Sequence, residues 1–410
     1  MHDTPDRDIA LPARRSAAPR IGLALAGGGP EGAVYEIGAL RALEEAVVGL
    51  DLNELEVYVG VSAGAFVSAC LANGLTTAQL CRAVVHPGPG EHPFFAEVFF
   101  TPAVREIFGR SVDAPRLVIE AISEFLANPR DLTLLDSLTR LARAMPVALF
   151  DNEPVRMFLE RVFSLDGRTD DFRKLRASLN VVAVDLDSGE AVRFGSPGFD
   201  DVPISRAVQA SSALPGVYPP TEINGRYYVD GVLIKTLHAS VALDAGCEVV
   251  LCINPIVPVD TADAVRVGAM RTGKLVTRGL PTVLSQTFRT LVHSRLKVGL
   301  SNYEPRYPGA SIVLLEPSRD DYRMFFTNIF RFSSRKEVCE HAYQSTRRQL
   351  LARKDELGEK LARHGLTLNV EALRERRDLW RQVGLRDGVL HEPVTDRLDR
   401  ALEKLETLID

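Results

Sequence analysis

Two junctions of one kind lie close together after Arg20, and nothing else in the chain restricts its fold as tightly. Ile21 to Ala26 is a short apolar run that stops at Gly27-Gly28-Gly29. Val57 to Val59 is a second, followed at once by Gly60-Val61-Ser62-Ala63-Gly64. Apolar runs this short, bounded by glycines, read as buried strands. After the first run, Val34, Ile37, Leu40, Ala42 and Leu43 recur at helical spacing between Ala33 and Val48, and Gly49 stops the pattern. After the second, helical character runs from Ser62 through Ala72. Strand, helix, strand, helix at this spacing opens a parallel α/β sheet with helical crossovers.

The theme returns downstream. Leu179 to Asp185 and Ala191 to Phe194 carry strand character around a Ser188-Gly189 turn. A helix is expected over Ile204 to Ala213, and strands over Tyr227 to Val229, Val249 to Ile253 and Ile312 to Leu315. Between them, 94–163 is rich in Phe and Leu at helical periodicity and reads as an inserted group of helices. Beyond about Arg335 the chain is charged and helical, with a break at Gly365. The expected organisation is a lead-in over 1–20, a main α/β domain over 21–320 and a helical region over 321–410. The lead-in mixes both charge signs and lacks an apolar core of its own, which reads as disorder.

Composition narrows the function classes. Hydrophobic residues make up 46% and charged residues 25%, so a large core can form. A net charge of −5 over 410 residues gives no global attraction to nucleic acid or to anionic membranes, so any basic surface must be local. No apolar stretch approaches the roughly 20 residues that span a bilayer. The five cysteines, Cys70, Cys81, Cys247, Cys252 and Cys339, have no metal-like spacing. With no secretory signal in view, they favour reduced thiols and a cytoplasmic location.

Three constellations carry chemistry. Gly60-Val61-Ser62-Ala63-Gly64 is a G-x-S-x-G between a strand and a helix, where small neighbours permit a sharp turn that exposes a serine hydroxyl. The structural alternative is a helix-capping serine in a tight turn. Gly27-Gly28-Gly29-Pro30-Glu31-Gly32 matches G-x-G-x-x-G, and Asp51 and Glu54 stand where a dinucleotide fold wants an acid. The same glycines also suit an oxyanion hole, because they let backbone N–H groups approach an anion. The next strand ends in the serine elbow rather than in a ribose-binding acid, which favours the oxyanion reading. Asp230-Gly231-Val232 closes the apolar run Tyr227-Tyr228-Val229 and puts a carboxylate at a strand end, although Asp-Gly alone is also a common turn.

In this order, the glycine loop, the G-x-S-x-G and the downstream Asp-Gly resemble the patatin-like phospholipase family. The stretch Ala210-Ser211-Ser212-Ala213-Leu214-Pro215-Gly216-Val217-Tyr218-Pro219-Pro220 resembles its segment just before the aspartate. The likeness covers about 21–255 and, more weakly, the region up to about Leu315. It implies a three-layer, mostly parallel central sheet flanked by helices, with Ser62 as nucleophile and Asp230 as its base. It further implies an oxyanion loop of Gly27, Gly28, Gly29 and Gly32, elbow glycines Gly60 and Gly64, and an aspartate motif completed by Gly231 and Val232. The implied reaction is hydrolysis of fatty acyl esters of phospholipids or neutral lipids through an acyl-enzyme, with no cofactor and no metal. Two positions depart from the family pattern: Glu31 stands where Arg or Lys is usual, and Val232 where Gly or Ala is usual. Both motivate the alternative of a weak or inactive lipid-binding or scaffold protein.

His238 is the histidine best placed for a Ser-His-Asp arrangement, but reads as a structural or surface residue. No H-E-x-x-H spacing supports a metal. Between Arg266 and Lys297 lie seven Lys or Arg residues and no acid, interleaved with Leu, Val and Phe288. This segment is a candidate for peripheral membrane contact. Phe94, Phe95, Phe99 and Phe100 are candidates for core or for lining an acyl-chain pocket or lid.

Overall fold

The structure, a computed structural model, describes residues 19–85, 101–103, 148–268, 270–322, 324 and 332–385. The expected lead-in up to residue 18, most of the 94–163 insertion, the four phenylalanines at 94–100 and residues 386–410 lie outside them. Of the insertion, the described part includes a helix over Glu153–Phe163.

The central sheet contains eight strands: β1 (Ile21–Leu25), β2 (Val57–Val61), β3 (Ser178–Asp185), β4 (Ala191–Phe194), β5 (Thr221–Ile223), β6 (Arg226–Asp230), β7 (Val249–Ile253) and β8 (Ser311–Leu315). Their order is β8-β7-β1-β2-β3-β6-β5, with β4 on β3. From β8 through β3 all pairs are parallel. β4, β6 and β5 are antiparallel additions at the far side. The mostly parallel α/β fold is thus as expected.

Burial follows from this position in the sheet. β1, β2 and β7 are buried at every residue, as interior parallel strands covered on both faces must be. β8, at the margin, alternates buried and half-buried residues. Helices α1 (Gly29–Ala46) and α2 (Ala63–Ala72) follow β1 and β2, and α3 (Ile204–Ser211) lies before the β5–β6 hairpin. α1 starts four residues earlier than the apolar pattern indicated. Pro30 falls in the first turn, where its missing N–H breaks no helical bond, so Gly-Pro opens the helix instead of preceding it.

Helix α4 (Leu280–Ser301) is tied to the segment after β7, where the Gln286 amide accepts from the Val259 N–H and donates to the Val259 carbonyl, and α5 (Phe332–Ala352) packs along α1. Contact between α1 and α5 is close enough that a β-carbon on Gly38 would lie 2.3 Å from the Cys339 carbonyl oxygen. Beside it, the Tyr343 hydroxyl donates to the Glu45 carboxylate (2.7 Å) and Arg347 donates to the Ala372 carbonyl (2.7 Å). The C-terminal helices therefore share the core of the α/β unit. All five cysteines are free and buried.

Candidate active site

Ser62 joins β2 to α2 with φ 53° and ψ −120°, a region that non-glycine residues rarely adopt. Such a conformation costs about 1–3 kcal/mol and persists only where neighbours enforce it. Here the enforcement is steric. A β-carbon on Gly60 would sit 2.4 Å from the Ala65 Cα, and one on Gly64 would sit 2.5 Å from the Leu25 carbonyl. The Gly64 N–H donates to the Ala26 carbonyl at 3.1 Å, locking the turn onto the end of β1.

The register of β3 brings Ser62 to Asp230. Val61, the last residue of β2, pairs with Val182, and Asp230, the last residue of β6, pairs with the next residue, Ala183. β4 pairs continuously along Val181–Val184 and so takes the opposite edge. β2 and β6 therefore share one edge of β3, end to end, running in opposite directions. Where β2 leaves the sheet Ser62 turns upward, and where β6 arrives Asp230 ends.

Ser211 seals this junction. Its hydroxyl accepts the Ser62 N–H at 2.8 Å and donates to the Val182 carbonyl at 2.6 Å. The sequence reading assigned Ser211 no role, although its place in the Ala210–Pro220 segment marked the region. Gly231 is equally constrained, since its β-carbon would lie 2.4 Å from that same Val182 oxygen.

Asp230 is 2% exposed and Ser62 7%. The Asp230 carboxylate accepts the Val232 N–H at 2.9 Å, and the Ser62 hydroxyl lies near enough to favour its charged form. Burial outweighs both and raises the carboxyl to about 7. A carboxylate with this proton affinity is a far better base at neutral pH than an ordinary one.

The glycine loop lies against this pair. A β-carbon on Gly27 would touch both Ser62 Cβ and Val232 Cγ2 at 3.3 Å, and one on Gly28 would strike Pro255 at 2.6 Å. Gly29 has open space around it but a φ of 61°, so conformation rather than crowding calls for glycine there. Among the described residues no acceptor is seen for the N–H groups of Gly28, Gly29 or Ala63, each at the start of a helix. These are the donors an oxyanion would need.

Loop, elbow and aspartate open onto a cavity of about 280 Å³. Its walls are mainly apolar, including Ala33, Phe66, Leu214, Val217, Tyr218 and Ile256, with Val232 narrowing it beside Gly27. Phe288 and Arg289 from α4 complete it. Arg289 was foreseen only as part of a basic segment, but the fold brings it into the pocket. It is the cation whose charge acts on Glu31, at the position where the family usually has a basic residue.

Burial pushes the Glu31 carboxyl up to about 8; Arg289 opposes the shift and Asp321 adds to it. Glu31 is therefore largely uncharged at neutral pH and sets no anion beside the glycine loop. The linkage has a definite sign. An acid raised from 4.5 to about 8 binds more protons folded than unfolded, so stability is full at low pH and falls through that window by up to about 1.4 kcal/mol per pH unit. Glu31→Gln is expected to gain on the wild type as pH rises from 5 to 8. Thermal melts at both pH values check this, and a constant difference in Tm would contradict it.

His238 is buried at the start of the helix Ala239–Asp244, and does not line the cavity. Burial depresses it to about 3, so it is neutral. Among the described residues no group of side chains could hold a metal ion, and no helix is long and apolar enough to cross a membrane.

The strand ends of this α/β sheet thus bring a strained serine turn and a buried carboxylate to one cavity. The patatin-like phospholipase family matches residues 23–243, more than half the chain, and the chain belongs to that family of lipid acyl hydrolases. Among solved structures it is similar to VipD from Legionella pneumophila, at 15% identity and a TM-score of 0.36, over 82% of this chain and 67% of that one. It is also similar to the type III effector protein ExoU, at 17% identity and a TM-score of 0.36, over 82% of this chain and 54% of that one. ExoU from Pseudomonas aeruginosa in complex with SpcU gives 16% identity, a TM-score of 0.28, and 85% and 59% coverage. The chain thus spans little more than half the length of ExoU.

Proposed function

We propose that this protein hydrolyses fatty acyl esters of lipids through a Ser62–Asp230 dyad. The observation that carries this reading is the shared edge of β3, which sets a strained serine beside a carboxyl raised to about 7 in an apolar cavity. Asp230 accepts the Ser62 proton as Oγ bonds to the ester carbonyl carbon. The carbonyl oxygen becomes an oxyanion that the N–H groups of Gly28, Gly29 and Ala63 are suited to bind. Collapse expels the alcohol, which takes the proton from Asp230, and leaves Ser62 acylated. Water then attacks the acyl-enzyme, with Asp230 as base again, and the fatty acid leaves as Ser62 regains its proton. The acyl chain fits the cavity wall of Phe66, Leu214, Val217 and Ile256.

Glu31 favours this reading over an inactive lipid-binding protein, because burial keeps it uncharged at neutral pH. An alkyl fluorophosphonate is expected to label Ser62 alone, as read by peptide mass spectrometry. Ser62→Ala should lose both the label and ester turnover. Turnover that survives Ser62→Ala unchanged would end the assignment.

A further inference from the structure

Helix α4 carries apolar side chains on its solvent face as well as on its buried one. Leu280 (68%), Leu284 (57%), Leu291 (61%) and Val298 (61%) are exposed, while His293, Val292 and Leu296 are buried. With 3.6 residues per turn, positions 280, 284, 291 and 298 form one stripe about 27 Å long on the solvent face. Val276, 70% exposed, extends it at the N-terminal end. A contiguous apolar stripe of this kind is uncommon on a protein surface without a partner.

Charge identifies the partner. Arg271, Lys274, Arg278, Arg295 and Lys297 are all exposed, and no Asp or Glu occurs from 264 to 303. A second copy of this chain docked stripe to stripe would bring like charges together with no acid of the segment to offset them. An anionic lipid surface offers both an apolar interior for the leucines and phosphates for the cations.

The stripe is also continuous with the cavity. Phe288 lies between the exposed and buried faces of α4 and lines the pocket, as do Ser285 and Arg289 on the same helix. Arg295 donates to the Leu233 carbonyl at 2.9 Å, tying α4 to the turn that follows Asp230, and Leu233 is itself exposed. We infer that α4 is an interfacial docking helix that seats the cavity mouth on an anionic bilayer, with Leu284 and Leu291 inserted among the lipids. This builds on the proposed lipid hydrolysis, but binding can be read without turnover.

Vesicle flotation tests it, with Ser62→Ala as the parent so that no lipid is consumed. One set of vesicles is phosphatidylcholine alone; the other contains about one quarter phosphatidylglycerol. The parent is expected to float with the anionic vesicles and to remain below with the neutral ones. Adding Leu284→Gln and Leu291→Gln together should lower binding at least about tenfold. Lys274→Gln with Lys297→Gln should lower it about fivefold per charge. In the Ser62 background, both pairs should turn over a soluble short-chain ester at the wild-type rate, which controls for folding. A parent that stays below with both vesicles, or a leucine pair that floats as before, overturns the inference. So does sedimentation showing a dimer that the leucine pair converts to monomer, which would give the stripe to self-association. A parent that floats with neither vesicle, while the Ser62 enzyme turns over the soluble ester, counts against docking alone; turnover in Ser62→Ala counts against the dyad alone.

Discussion

Asp230→Asn is expected to lower kcat/KM for a soluble ester by about 10³-fold, the middle of the range for a lost general base. The substitution is nearly isosteric, and the Asn side-chain oxygen can still accept the Val232 N–H that Asp230 accepts at 2.9 Å. The loss would therefore reflect chemistry rather than unfolding. In the wild type the base must be deprotonated, so activity should rise with pH along a limb centred near 7, falling about tenfold per unit well below it. In Asp230→Asn that limb should vanish. Stability should move the opposite way. The folded carboxyl is raised from 3.8 to about 7, so the wild type loses stability as pH climbs through that window. Asparagine has no proton to lose, and the variant should melt higher than the wild type at pH 8. Less activity with more stability is the joint outcome to seek by rate profiles and melts; a pH limb retained in the variant would assign the base elsewhere.

The second large effect concerns a residue with no chemistry. Gly231→Ala should cost about 3 kcal/mol or more, because the new β-carbon would lie 2.4 Å from the Val182 carbonyl oxygen. Backbone blocks backbone there, so no side-chain rotation relieves the clash. That oxygen also accepts the Ser211 hydroxyl that holds the Ser62 N–H. Displacing it disturbs nucleophile and base together, and turnover should fall with Tm. Gly358→Ala, within the helix Lys354–Ala362, provides the contrast. Nothing lies within 4 Å of its β-position, and alanine is the better helix former by about 1 kcal/mol. Equal melting temperatures for the two variants would refute the account of the junction.

What could be read in the chain beforehand was whatever depends on near neighbours. The elbow announces itself because small residues flank one serine between a strand and a helix. Asp230 is found because an apolar strand ends in Asp-Gly. The meeting of the two was inferred from family likeness alone, since no local pattern reveals that β6 resumes the edge of β3 that β2 abandons. Ser211 escaped notice for the same reason: both of its partners are far away in sequence. Arg289 was visible as one cation among seven, but only the packing of α4 brings it to the pocket and to Glu31. The start of α1 was misplaced because Gly-Pro is a turn signal in most settings and a helix opening in this one.

One consequence follows from the position of β7. The family match ends at residue 243, yet β7, over Val249–Ile253, pairs with β1 along its whole length and carries β8 on its other side. Excising the matched segment would strip the strand beneath the glycine loop of its neighbour and leave a bare, sticky margin. Motif boundaries are thus poor guides for cutting this protein: the smallest portable piece has to reach past residue 315, and the grip of α5 on α1 argues for keeping still more.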